Sequence, residues 1–261
     1  MLLQLIVFIF GALIGSFLNV CIYRLPRGIS IIWPSSRCPS CNAPIRAWDN
    51  IPVLSFLILR GSCRNCKARI PYRYPLVESL NAACYLVFLW RFGPGWPFLV
   101  YALFCSALIV ITFIDLDFQI IPDRITLPGI PIGLLAGSLL LPDPLLRSVA
   151  LGWKGSLIGA VSGFFFFYLV AAGGEKIFKK EAMGGGDIKM MAMVGGFIGW
   201  KGIILTTFLG SLLGSVIGVF MMIFAGRERG SLIPFGPFLA AGSAISLIFG
   251  QEILFWYLFR G

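Results

Sequence analysis

Two groups of residues in the 261-residue chain have types and spacings that could do chemistry. The first is acidic. The stretch "EAMGGGDIKMMAMVGG", Glu181 to Gly196, places three glycines and Asp187 at the mouth of an apolar run, and "FIDLDFQIIPD" places Asp115, Asp117 and Asp123 at the end of another. The second is a set of thiols: "CPSC" carries Cys38 and Cys41, and "CRNC" carries Cys63 and Cys66, with 21 residues between the two units. The chain contains no histidine. The commonest general base and metal ligand is therefore missing, and any chemistry falls to carboxylates, thiolates or lysine.

An ionisable group at membrane depth is costly and by default marks function. Asp115 directly follows "ALIVITFI" and is the most embedded of its trio. Asp117 lies further out, where a solvated supporting role would suffice. Asp123 follows Pro122 and suits a helix N-cap. Asp187 opens a helix, at the positive end of its dipole. Two carboxylates brought close cannot both ionise, which pushes their pKa values apart and lets them share a proton. One then takes a proton from water while the other polarises a carbonyl, which is aspartyl-protease chemistry without histidine or metal. Glycines 184–186 have no Cβ and allow an unwound substrate backbone to come near.

Paired CxxC units at this spacing indicate one tetrahedral metal ion bound by four thiolates, with zinc the best fit. Four protein ligands leave no open position, so such an ion staples the segment and does not catalyse. Disulfides are the alternative. A reducing cytoplasmic setting argues against them, and Arg37, Arg64 and Lys67 beside the thiols favour thiolate. Cys21, Cys84 and Cys105 sit in apolar runs and read as packing residues.

The elements that must position these groups are membrane helices. The chain is 58% hydrophobic and 12% charged, and apolar stretches long enough to span a bilayer recur along its length. Alternating patterns of a β-barrel are absent, so the fold class is an all-α polytopic membrane protein. About eight transmembrane helices are expected: roughly 2–22, 76–91, 97–114, 125–141, 155–173, 188–200, 202–224 and 234–251. The first lacks a basic flank and a small-residue cleavage site and reads as a retained helix. The sixth is short, so Asp187 is expected to be recessed below the interface, unless "GGFIGW" continues into a longer kinked element. Three regions follow: a first helix (1–23), a small zinc-bound cytoplasmic loop domain (24–75), and a membrane-embedded domain (76–261).

The net charge of +10 records orientation and not nucleic acid, for which no binding is expected. Of the 21 basic residues, the loops on one side hold nine in 24–75 together with Arg124, Lys176, Lys179, Lys180, Lys189, Arg227 and Arg229. The other side holds Arg91, Arg147, Lys154, Lys201 and Arg260. The positive-inside rule makes the rich side cytoplasmic, with both acids near it.

With these residues in view, the chain resembles the type IV prepilin peptidases, members of the GxGD intramembrane aspartyl proteases. "GGGD" (Gly184–Asp187) fits the signature. "FIDLDFQIIPD", "GSFLNVCIYRLP", "RYPLVE", "IPFGPFLA" and the double CxxC are similar to the family in order along nearly the whole chain. The resemblance implies a bifunctional bacterial inner-membrane enzyme. It would remove the basic leader of prepilins or type II secretion pseudopilins at the cytoplasmic face, then N-methylate the new terminus with S-adenosylmethionine. It also implies Asp115 and Asp187 as the catalytic pair, with Asp117, Gly184, Gly186 and Lys189 in support. Gly61 and Glu78 would be linked to methyl transfer, and Cys38, Cys41, Cys63 and Cys66 to zinc. The rival readings are a peptidase without methyl transfer, a cation-coupled transporter using the acids, and a non-enzymatic zinc-bearing assembly protein. A transporter gains nothing obvious from the cysteine loop, and no internal repeat is visible. No G-x-G-x-x-G after a strand marks an ordinary nucleotide fold.

Overall fold

The computed structural model of the chain describes residues 1–179, 183–224 and 234–260. Lys180, Glu181, Ala182, Arg227, Arg229 and Ile233, which enter the readings above, lie outside them. The regular elements among the described residues are helices: α1 Leu2–Arg24, α2 Leu54–Ile58, α3 Arg73–Phe92, α4 Trp96–Phe118, α5 Asp123–Leu139, α6 Gly152–Phe178, α7 Gly185–Phe224 and α8 Gly236–Arg260, with one 3-10 turn at Ala47–Asn50. The chain divides into two compact units, Met1–Val110 and Ile111–Gly261, the boundary falling inside α4.

Five helices, α1, α4, α6, α7 and α8, are long and apolar enough to cross a membrane, fewer than the eight expected. The shortfall has identifiable causes. α5 has only 17 residues, with Pro128 and Pro131 inside it. In α3, Glu78, Asn81 and the flanking arginines dilute the apolar run. The two expected spans 188–200 and 202–224 form a single helical run, α7, interrupted at Gly199 (φ 72°, ψ 174°), a conformation that L side chains avoid.

In the first unit, α1 packs against α3 through polar contacts that suit a lipid surround. The Asn81 amide donates to the Gly11 carbonyl (2.7 Å), and the Ser106 hydroxyl of α4 donates to Asn81 Oδ1 (2.8 Å). The chain leaving α1 is turned back by Arg24, whose guanidinium donates to the carbonyls of Ser30 and Pro34. From Leu25 to Leu76, Cys38 is the one buried residue.

The second unit has the opposite character. Every residue from Met190 to Gly199 is buried, so the first leg of α7 is a central helix covered on all sides. Gly159 of α6 and Gly195 of α7 face one another so closely that a Cβ on either would meet the other's backbone. α5 lies on the same leg through Gly129 against Met193 and Gly133 against Phe197. Past the break at Gly199 the direction reverses. Lys201 holds Asp143 (2.9 Å) in the turn after α5, a turn tied by the Pro142–Ala150 bridge, whereas Gly214 packs on Phe235 and Phe238 at the start of α8.

Candidate active site and metal centre

Asp115 occupies the last turn of α4, which ends at Gln119 in a left-handed conformation (φ 54°) with its N–H on the Asp115 carbonyl. Asp187 occupies the first turn of α7. Both are buried, at 6% and 9% exposure. The fold gathers them around one residue: Ile121, in the loop after α4, lies against Gly186, beside Asp187, and against Gly236, which also crowds the Asp115 carboxylate. The Asp115 carboxylate also accepts a hydrogen bond from the backbone N–H of Gly236, the first residue of α8. That contact leaves no space for a side chain, since a Cβ on Gly236 would stand 2.6 Å from Asp115 Oδ2. Gly236 was not singled out from sequence. A backbone donor has no side-chain signature, and only its place in "IPFGPFLA" pointed near it.

The three glycines before Asp187 play different parts. Gly184 precedes the helix and its N–H donates to the Asp187 carboxylate, while the Asp187 N–H donates back to the Gly184 carbonyl (3.1 Å). This reciprocal arrangement has the logic of a capping box. A helix cap would account for one carboxylate oxygen only. Among the described residues the other, Oδ1, is buried with no hydrogen-bond partner, and a buried polar atom left so is costly unless something else uses it. Gly186 admits the loop after α4, because a Cβ there would lie 2.8 Å from the Ile121 Cβ. Gly185 faces open space.

Asp117 is exposed. Asp123 does not cap α5 as expected. It is the helix's first residue, makes no capping bond, and gives both carboxylate oxygens to the Lys189 ammonium at 2.8 Å. The pair links the start of α5 to the turn of α7 that carries Asp187.

In the first unit, the four loop cysteines converge, with all Sγ atoms within 4.8 Å of one another. Cys38 and Cys66 are 3.8 Å apart. A tetrahedron with Zn–S bonds of about 2.3 Å has edges of about 3.8 Å, so the cluster has the size a zinc ion requires. The two arms repeat one geometry. Cys38 N–H bonds Ala43 O while Asn42 N–H returns to Cys38 O, and Cys63 N–H bonds Ala68 O while Lys67 N–H returns to Cys63 O. Asn42 and Lys67 both take positive φ, 57° and 58°. These turns aim backbone N–H groups at sulfur. The N–H groups of Cys41 and Ser40 hold the Cys38 thiol below its ordinary value, and the Ala43 N–H does the same for Cys41. At Cys66 the Ala68 N–H acts downward too, but burial and the three other sulfurs push the thiol up to about 11. Four clustered sulfurs resist ionising together, and a divalent cation removes that resistance. The cysteines are free thiols here, as a metal site needs.

Glu78 is buried on α3. Its carboxylate accepts the Val53 N–H (2.7 Å) and a bond from Ser16 of α1. Val53 has φ 61°, a strained value for a β-branched residue. Gly61 also has positive φ, 64°, and lies against the Phe56 ring. Cys21, Cys84 and Cys105 lie within helices α1, α3 and α4.

Fold and site together define a class, a multi-pass helical membrane protein with a two-aspartate centre and a tetrathiolate loop. The chain belongs to the type IV leader peptidase family: residues 102–219 match that family's model, and residues 9–92 match the bacterial peptidase A24 N-terminal domain. It is 38% identical to a prepilin leader peptidase/N-methyltransferase of Aeromonas hydrophila, over 97% of this chain and 93% of that protein. A protein of the same name from Pseudomonas putida is 37% identical over 94% and 90%, and one from Neisseria gonorrhoeae 34% identical over 91% and 87%. No solved structure matches the chain at a significant level.

Proposed function

We propose that the protein cleaves the basic leader from prepilins or secretion pseudopilins and then methylates the exposed amine, from the cytoplasmic face of a bacterial inner membrane. The observation that supports the peptidase half is the burial of Asp115 and Asp187 around Ile121, with Asp187 Oδ1 buried and unpartnered among the described residues. One carboxylate of the pair takes a proton from water, and the oxygen of that water attacks the scissile carbonyl. The other gives its proton to the carbonyl oxygen. Collapse of the tetrahedral intermediate breaks the C–N bond, and the departing amine takes the proton the first acid collected. Asp117 and Lys189 support the pair, and the glycines before Asp187 give the substrate backbone access.

Cys38, Cys41, Cys63 and Cys66 hold a structural zinc ion, which orders the loop and supplies no reaction step. For methyl transfer, S-adenosylmethionine would supply the methyl group: the neutral terminal amine would take it as the carbon–sulfur bond breaks, releasing S-adenosylhomocysteine and a proton. The relatives' printed name supports this half. Within the first unit, a cavity of ≈ 270 Å³ lined by Ser16, Arg24, Ser35 and Asn50 beside Phe17 and Ile31 has the mixed walls such a donor needs. Glu78, joined to Ser16, and Gly61 belong with this activity.

The test is cleavage of a purified prepilin in detergent. Wild type releases the leader, and Asp115→Ala and Asp187→Ala do not. Mass spectrometry of the new terminus gains one methyl group only when S-adenosylmethionine is present. Normal processing by either alanine variant overturns the assignment, and a product that stays unmethylated leaves a peptidase alone.

A further inference from the structure

The first unit holds a buried charge that neither the acid pair nor the metal cluster uses. α1 ends at Arg24 and the chain reverses there. The Gly28 N–H returns to the Leu25 carbonyl and the Ile29 N–H to the Arg24 carbonyl, with Gly28 at φ 68°. Ile31 and Ile32 then join Phe17 and Val20 of α1 in lining the ≈ 270 Å³ cavity. Arg24 is part of the same wall and only 9% exposed. Its guanidinium donates to the Ser30 and Pro34 carbonyls, at 2.9 and 2.8 Å. Both acceptors are neutral, and among the described residues Arg24 pairs with no carboxylate. A guanidinium taken out of water without a counter-charge is costly. Chain reversal explains two of its five N–H groups and leaves the charge unanswered. The remaining polar walls are Ser16, Ser35, Ser36 and Asn50. Ser16 is bonded to the Glu78 carboxylate and lies about 12 Å from Arg24 along the axis of α1. The cavity thus has a cation in its wall at one end and an acid just behind the other.

We propose that Arg24 binds the carboxylate of S-adenosylmethionine, so that this cavity recognises the amino-acid end of the methyl donor. The inference rests on the methyltransferase reading above and deepens it. A guanidinium presents its donors in a planar fork that matches a carboxylate. The donor carries a carboxylate at one end and a sulfonium cation further along, the same order of charge that Arg24 and Glu78 complement. Phe17, Val20, Ile31 and Ile32 supply apolar surface for its base. A lipid phosphate would answer Arg24 but gains nothing from Glu78, and the basic leader of a prepilin would be repelled by the guanidinium.

The test measures binding, by equilibrium dialysis of the full chain in detergent against S-adenosylmethionine and against its decarboxylated analogue. Wild type is expected to bind S-adenosylmethionine more tightly by about tenfold or more. In Arg24→Gln the ratio should fall to near one. Arg69→Gln removes the same charge from an exposed position outside the cavity and should keep the wild-type ratio. Dihexanoyl phosphatidylglycerol added to wild type should leave the bound donor in place. Equal binding of the two ligands by wild type overturns the proposal, whether or not Arg24→Gln folds. A wild-type ratio in Arg24→Gln overturns it too, and so does a ratio lost in Arg69→Gln, which would make the preference a long-range charge effect. Displacement by the phospholipid would assign the guanidinium to a lipid phosphate instead. If wild type binds neither ligand, the methyltransferase reading itself fails and takes the proposal with it.

Discussion

The loop from Leu25 to Leu76 and the leg of α7 from Met190 to Gly199 are two answers to one problem, how to hold reactive groups still. The loop buries almost nothing and has no core of its own. Segments that small need a staple, and the four thiols supply a place for one. The α7 leg buries every residue and is clamped by α5 and α6 at glycine contacts. Here packing, joined by the Lys189–Asp123 pair, positions Asp187. The lesson is that the two sites should fail independently. Damage to the cysteines should loosen the first unit and spare the second, and loss of the acids should stop chemistry without loosening anything.

The largest effect sharpens that contrast. Asp187→Asn or Asp115→Asn is expected to lower prepilin cleavage by about 10³-fold or more, because each removes one half of the proposed proton-sharing pair. The purified variant should keep its zinc and its resistance to limited proteolysis. Metal loss in the Asp187→Asn protein would show that the two regions are coupled after all.

Cysteine substitution is the reciprocal break. Cys38→Ser or Cys63→Ser should abolish stoichiometric zinc and expose 25–75 to protease, because metal binding in so small a unit is folding free energy. Fragments from 111–224 should persist. Protein purified under reducing conditions with no zinc, yet a protease-resistant loop, would overturn the tetrathiolate staple.

These two sites differed in how they could be read in advance. Charges inside apolar runs marked Asp115 and Asp187, and the double CxxC marked the cluster, because both signals are local and chemically rare. The break at Gly199 falls inside the sixth expected span, 188–200, two residues short of the expected boundary at 201. Long-range facts were not legible. Asp123 satisfies every local rule for a cap, yet its partner Lys189 is 66 positions away. Gly236 acts through a backbone N–H that any residue would have, and only the crowding against Asp115 makes it special. The number of crossings stays unconfirmed: five helices alone are long and apolar enough, and α3 falls short of that measure because its buried polar residues serve contacts with α1.

A smaller effect separates the glycines. Gly186→Ala should reduce cleavage by about tenfold to a hundredfold, since its Cβ would push Ile121 and the loop after Asp115 outward. Gly185→Ala, facing open space, should stay near wild type. Equal losses in both would mean that substrate approach, not the register of the two acids, limits this stretch.

The smallest effect belongs to the loop and depends on pH. Arg64 lies between Cys63 and Cys66 in sequence and donates to both oxygens of Asp49, with contacts of 2.6 to 3.0 Å. That hydrogen bonding, aided by the guanidinium charge, holds the Asp49 carboxyl below the usual carboxylate range. A depressed folded-state value means the contribution is complete above the ordinary carboxylate pKa of about 4. It is lost as pH falls through the lower, folded value. Arg64 is half exposed, so water and salt screen the pair and keep its contribution small. Zinc release in acid affects wild type and Asp49→Asn alike, so the difference between them isolates the pair. Protease resistance of the loop should favour wild type slightly at neutral pH and low salt, and the two curves should converge in acid or in high salt. If the gap persists at high salt, Asp49 acts through packing and not through its charge.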